Sequence, residues 1–219
     1  MYISWVTNQV KNPDSTKQRI VEAARQMFHQ SGYAETSLAD IAEKAGAQGG
    51  SLYYFFKTKE KLLEAVLEDY KAIMRPVLLD PIWQDCPDPL QRVWALLGRY
   101  RELLIQTGYQ FGCPIGNLAL EVANYLPAAR VKIHENFEAW RAAVRECLDQ
   151  CGNRLPAKID RDRLAVFILT VMEGGVMQSR TARSIEPFDT SVAVLRDYFA
   201  RLEKAAGERP SSVPKGDSK

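Results

Sequence analysis

Residues 36–61 read TSLADIAEKAGAQGGSLYYFFKTKEK. Leu38, Ile41, Ala42 and Ala45 fall at i, i+3, i+4 and i+7, which places them on one face of a helix. Thr36 or Ser37 offers a hydroxyl to cap its first turn. Gly46 stands where a left-handed residue is needed to end it. A second short helix is expected from about Gln48 to Phe56, with Leu52 and either Phe55 or Phe56 turned inward. Two short helices joined by a turn of three or four residues containing Gly make a helix-turn-helix, the unit that DNA-binding proteins lay into a major groove. Gly49-Gly50 at the start of the second helix costs about 1 kcal/mol per residue against Ala, so that helix is expected to firm up on DNA.

Working outward, Ser15-Thr16-Lys17-Gln18 is a capping-box pattern, and Ile20, Ala23, Ala24, Met27 and Phe28 mark the helix it opens. Downstream, Leu62, Leu63, Val66, Leu67 and Tyr70 mark a helix that begins near Thr58 and runs through Met74, with Pro76 expected to bend or end it. Thr-Ser, Ile-Ala, Ala-Gly, Gly-Ser-Leu-Tyr, an aromatic pair and Lys-Glu follow one another within residues 36–61. In that order, over about residues 15–70, they resemble the TetR/AcrR family of bacterial repressors. Two positions depart from the usual pattern: Gly49 stands where a Lys is common, and Lys57 where a Pro is common.

Gln48, Ser51, Tyr53 and Tyr54 fall on the exposed side and N-terminus of the second helix, within reach of phosphates, base edges or thymine methyls. Tyr53 has a second reading, as a ring packed between helices. Thr36 and Ser37 at one helix start, and Lys59 at another, suit phosphate contacts. Lys57, Lys59 and Lys61 form a small basic cluster after the motif. The predicted DNA-facing set is therefore Thr36, Ser37, Gln48, Gly49, Ser51, Tyr53, Tyr54, Lys57 and Lys59.

Composition bounds the rest. Of 219 residues, 46% are hydrophobic, 10% aromatic and 26% charged, enough for a core in a soluble protein. A net charge of +2 means that any nucleic-acid affinity must come from local charge. No apolar run approaches the roughly 18 residues of a membrane span, and MYISWVTNQVKNPDS lacks the pattern of a secretory signal. The four cysteines form no CxxC pair. A cytoplasmic location with no membrane contact is expected. Tyr2, Ile3, Trp5 and Val6 are apolar enough to dock somewhere.

The pattern after residue 89 is wholly helical, with breaks at 107–114, near Pro127, at Gly152-Asn153 and before the cap Asp160. The expected fold is all-α, about nine helices. Residues 15–60 would be the DNA-binding domain, 61–206 a helical ligand-binding and dimerisation domain, and 207–219 a disordered tail. The segment Gly112-Cys113-Pro114-Ile115-Gly116-Asn117-Leu118-Ala119-Leu120-Glu121 is similar to the GC-x-x-x-N-x-x-x-E stretch of one branch of the family, some members of which sense reactive molecules through a cysteine. Cys113 sits in a break before a helix start, which allows two readings: an accessible thiol of lowered pKa, or a structural cysteine in a tight loop with any inducer bound non-covalently. Cys113, Asn117, Trp94, Phe137, Trp140, Phe167 and Met172 are the candidate sensing or cavity residues, though most large core side chains are ordinary packing.

Other chemistry finds little support. Cys113, His134 and Glu121 could be drawn as nucleophile, base and orienter, without any local signature. His29 and His134 make no metal cluster, no Gly-rich loop follows a strand, and no cofactor is expected. Cys147 and Cys151, four apart on one face, read as core thiols. The resemblance implies a homodimeric repressor on a pseudopalindromic operator, released by a small-molecule inducer or by cysteine modification. The alternative is a DNA-binding regulator or activator of the same fold without an inducer. Residues 161–206 are the expected dimer surface, with Leu195 in it. The inducer would act by moving the helix that begins near Thr58.

Overall fold

The computed structural model describes residues 15–208, all of them helix, turn or loop. The segment with Tyr2 and Trp5, and nearly all of the tail expected to be disordered, lie outside the described residues. A head is built from α1 (Thr16–Ser31), α2 (Leu38–Lys44) and α3 (Gly49–Phe55). Each boundary follows from its capping chemistry. Ser15 accepts from the Gln18 N–H at 3.2 Å. Ser37 and Asp40 form a reciprocal capping box around the start of α2. Gly46 takes φ +58° just after α2, a conformation that favours glycine.

The head closes on Ile20, Ala24 and Phe28 of α1, Ile41 of α2, Leu52 of α3 and Phe56 just beyond it, all buried. Phe56 is therefore the inward aromatic and Phe55 is exposed. Each fully buried Leu, Ile or Phe stabilises by about 1.5–3 kcal/mol, which lets a short helix with two glycines hold its place.

Helix α4 joins head to body. It starts as Lys59–Ile73, capped by Thr58, continues as a wider π-turn over Met74–Leu79, and ends with Asp80–Trp83. Pro76 neither ends nor sharply breaks it. A proline lacks an N–H and crowds the carbonyl four residues back. The wider turn absorbs this, with the Asp80 N–H donating to the Arg75 carbonyl five residues earlier. Arg25 of α1 lies 3.3 Å from the Asp69 carboxylate of α4, both largely buried.

The body adds α5 (Pro89–Gln106), α6 (Pro114–Val122), α7 (Pro127–Gln150), α8 (Arg161–Ala182) and α9 (Glu186–Gly207), giving nine helices among the described residues when α4 is counted as one rod. Helix α4 is fastened along α7. Asn136 donates to the Leu67 carbonyl at 3.0 Å, Lys71 pairs with Glu135, Lys132 with Glu68, and Arg75 with Glu146. Helices α8 and α9 form an antiparallel pair turned at Arg183, which is left-handed (φ 51°). Gly175 explains their closeness: a Cβ there would lie 2.9 Å from Phe188 Cδ2 and 3.3 Å from its Cα.

The expected dimer stripe resolves differently. Leu164, Ile168, Met172, Gly175 and Val176 are buried within the subunit, and so is Leu195, at 1% exposure. The large apolar side chains that α8 and α9 leave exposed are Phe167 and Tyr198, which belong to the expected stripes, together with Val166, Met177 and Val194. Cys147 and Cys151 are buried free thiols, as core cysteines should be.

Candidate DNA-binding head and ligand cavity

Helix α3 turns Leu52 inward and leaves Tyr53, Tyr54 and Phe55 on the outside, with Tyr53 at 55% and Tyr54 at 74% exposure. Tyr53 is thus not packed between helices. Gln48 caps α3 by position only, with no side-chain bond to its first turn, and is exposed. Gly49 opens α3, Ser51 is half-buried on it, and Lys57 is exposed just after it. Ser37 is exposed at the start of α2. Ser37, Gln48, Tyr53, Tyr54 and Lys57 are thus all exposed at or near the helix-turn-helix.

Two members of the predicted set serve the head itself. Thr36 is buried at 2%, and its hydroxyl donates to the Gly32 carbonyl at 2.7 Å, so it is turned away from solvent. Lys59 is half-buried. Its Nζ donates to the Ala34 carbonyl at 3.3 Å and sits 4.3 Å from the Tyr33 ring centroid. Burial pushes its pKa down, partly offset by Glu121 and Glu35. Both residues hold the α1–α2 loop that leads into the helix-turn-helix.

In the body, a cavity of about 510 Å³ opens between α6, α7 and α8. Phe137, Leu169, Val176 and Met177 give it apolar walls, while Asn117 and Glu173 bring polar groups. A smaller space of about 80 Å³ lies against the π-turn of α4, with Trp140, Met74 and Tyr100 around it. Cys113 borders both spaces. Of the candidate cavity residues, Phe137 and Asn117 line the larger space and Trp140 the smaller. Trp94, Phe167 and Met172 line neither. Trp94 stacks edge-on against Phe199, Phe167 is exposed beside Tyr198, and Met172 is core. Helical periodicity showed these three side chains to be apolar but could not tell cavity wall from core or outer face.

Cys113 fits the reading of a structural cysteine and not that of an accessible, acidic thiol. It is 3% exposed, and burial together with Glu173 pushes its pKa well above the ordinary thiol value. The Gly116 N–H donates to its sulfur at 3.5 Å, as a helix start should, but that bond does not offset desolvation. Its neighbours are Tyr100, Gly116 and Glu173. His134 is exposed on α7 and Glu121 is engaged elsewhere, so the drawn triad is not assembled.

Helix α6 connects cavity and head. The Glu121 carboxylate near its C-terminus accepts from the Tyr33 N–H at 2.9 Å and the Ala34 N–H at 2.6 Å, in the loop before α2. Gly32 turns that loop with φ +86°, and a Cβ there would lie 3.2 Å from Glu121 Oε2. At the other end, the Gly112 carbonyl lies 3.0 Å from His29 Nε2 of α1. Burial lowers the His29 pKa. Arg180 of α8 clamps the same segment, donating to Asn117 Oδ1 at 2.8 Å and to the Gln110 carbonyl at 3.2 Å. Neither Glu173 nor Arg180 stood out by periodicity. The role of Glu121 in holding the loop before α2 was not visible in the sequence, because its partners lie far away in the chain.

A helix-turn-helix with a surface-exposed second helix on a three-helix head, joined to a helical body, is the arrangement of a DNA-binding transcriptional regulator. Residues 20–66 match the family of bacterial regulatory proteins described as tetR, and residues 89–193 match the C-terminal domain of LmrA/YxaF-like transcriptional regulators. The chain is 32% identical over 191 residues to the HTH-type transcriptional regulator LmrA of Bacillus subtilis (strain 168), covering 85% of this chain and 97% of that one. It is 25% identical to the HTH-type transcriptional repressor DhaR of Mycobacterium sp. (strain GP1), over 82% and 89% of the two chains. In fold it is similar to the reduced form of NemR from E. coli, with TM-score 0.74 at 21% identity, over 83% and 96% of the chains. The chain belongs to the TetR family of transcriptional regulators.

Proposed function

We propose that this regulator is a homodimeric repressor that leaves its operator when a small molecule fills the cavity between α6, α7 and α8. The observation that carries the reading is the double role of α6. Cys113, Gly116 and Asn117 border the cavity, and Glu121 holds the loop ahead of the helix-turn-helix. A ligand that prefers a displaced α6 shifts the head, because a ligand acts only through its differential affinity for two states. This supports a route through α6 more than one through α4, which is bolted to α7. A buried thiol of raised pKa favours a non-covalent inducer over cysteine modification. In this reading Gln48, Tyr53 and Tyr54 meet base edges, Ser37, Ser51 and Lys57 serve the backbone, and the regulator works in the cytoplasm beside its DNA.

The test is selection of bound fragments from the source genome, followed by footprinting. The expected result is a pseudopalindrome with half-sites about one helical turn apart or somewhat more, and affinity that falls steeply with salt. Equal binding to random duplex would sink the proposal.

A further inference from the structure

The cavity presents four charged side chains, and three of them have polar partners. Glu138 pairs with Arg141, which also reaches Asp162 at 3.3 Å. Arg180 is engaged with Asn117 and the Gln110 carbonyl through its terminal nitrogens, while its Nε is buried without a partner. Glu173 differs. Its Oε1 is shielded from solvent and has no hydrogen-bond partner, and no guanidinium or ammonium pairs with it among the described residues. The Cys113 thiol is the one group that hydrogen-bonds its carboxyl. The other oxygen is pressed against α6: a Cβ on Gly116 would lie 2.4 Å from Oε2. A buried acceptor with no donor is an unmet demand that a ligand can satisfy.

We infer that the cavity takes an apolar organic cation whose ammonium group donates to Glu173 while its hydrocarbon body lies against Phe137, Leu169 and Met177. This rests on the ligand-responsive reading above. An anion would face the Glu173 carboxyl; Arg141 is paired with Glu138 and Asp162, and Arg180, although its Nε is buried without a partner, is held by Asn117 and the Gln110 carbonyl through its two terminal nitrogens. The groups facing Glu173 are Cys113 from α6, Glu138 and Arg141 from α7, and Arg180 from its own helix α8. Burial raises the Glu173 pKa in the empty protein. An ammonium that holds the carboxylate ionised displaces its proton, so affinity rises as pH increases through the Glu173 titration. A ligand that accepted a bond from protonated Glu173 would show the opposite trend. Because Glu173 touches the α6 backbone, drawing it toward a ligand acts on the helix that carries Glu121.

The experiment measures calorimetric affinities of the full chain for three probes with one ring system: 2-naphthylmethylamine, 2-methylnaphthalene and 2-naphthoate. The amine is expected to bind at least tenfold tighter than the neutral probe, and the naphthoate weakest. The amine's advantage should be larger at pH 7.5 than at pH 5. Glu173→Gln should bring the amine to within threefold of the neutral probe on the same variant, whereas Phe137→Ala should weaken both. An amine that binds no better than the neutral probe overturns the inference. So does an advantage that survives Glu173→Gln, or one that shrinks as pH rises. Operator release is read in parallel. Release by the neutral probe without amine preference leaves the repressor reading intact and removes this one. Amine preference without release does the reverse.

Discussion

Tyr54 holds its ring in solvent two residues after the buried Leu52, on the opposite side of α3, and its ring contact is the exposed Phe55, so it has no part in the core packing. Tyr54→Ala should therefore leave the thermal midpoint within a degree or two while weakening operator binding about tenfold, the scale of one lost base contact. A gel-shift titration beside a melting curve checks both. Thr36→Val should behave in the opposite way. It removes a buried hydroxyl bond and leaves the Gly32 carbonyl unmet, costing about 1–3 kcal/mol of stability and affecting DNA only through the loop. The thiols give a pH dependence. Burial pushes Cys113 well above 9.0 and Cys147 up to about 11, so the unfolded chain releases those protons first. Stability should then fall as pH rises beyond about 9, where the unfolded state binds fewer protons than the folded one. Urea titrations at pH 8 and 10 should show the decline, and Cys113→Ala should lessen it. Thr36 and Cys113 were each placed by the sequence at a helix start. What it could not convey was that tertiary neighbours bury both.

At the scale of elements, the adjacent glycines of α8 have two different roles. Gly175 is where α9 presses in, and Gly174 has nothing within 4 Å of a built Cβ while lining the cavity. Gly175→Ala should cost about 1–3 kcal/mol by overpacking against Phe188. Gly174→Ala should stabilise by up to about 1 kcal/mol through helix propensity, and denaturant midpoints distinguish the two. Helix positions were legible where apolar spacing and caps agreed, as in α1, α2 and α8. The π-turn around Pro76 was not. Whether a proline ends a helix or is absorbed by a wider turn depends on what holds the chain beyond it, here the burial of Val77, Leu79 and Trp83 in the core. Helix α6 was quoted as a motif, yet its part in joining cavity to head rests on bonds between residues more than eighty positions apart.

For the molecule as a whole, the exposed apolar face of α8 and α9 bears on assembly. Val166, Phe167, Met177, Val194 and Tyr198 lie outside the subunit core, and a TetR-family body that pairs through these helices would bury them. Val194→Asp is expected to shift sedimentation from dimer to monomer at micromolar concentration and to abolish tight operator binding, with helical content retained. Leu195→Asp should instead unfold the subunit, since that side chain is core. A monomeric parent protein would refute this assignment of the face. Periodicity put Leu195 on the dimer surface, and only the packing of α9 onto its own subunit shows that Leu195 is core while its neighbour Val194 is exposed.

The carboxylate of Glu121 carries a consequence for measurement. A mechanical link has no preferred direction, so whatever factor a ligand takes from operator affinity, the operator takes from ligand affinity. Protein seated on its promoter must bind inducer more weakly than protein in solution. Added operator duplex should therefore shift an inducer titration to higher concentration by that same factor. In a cell, extra copies of the operator would make the switch less sensitive to inducer without any change in the protein.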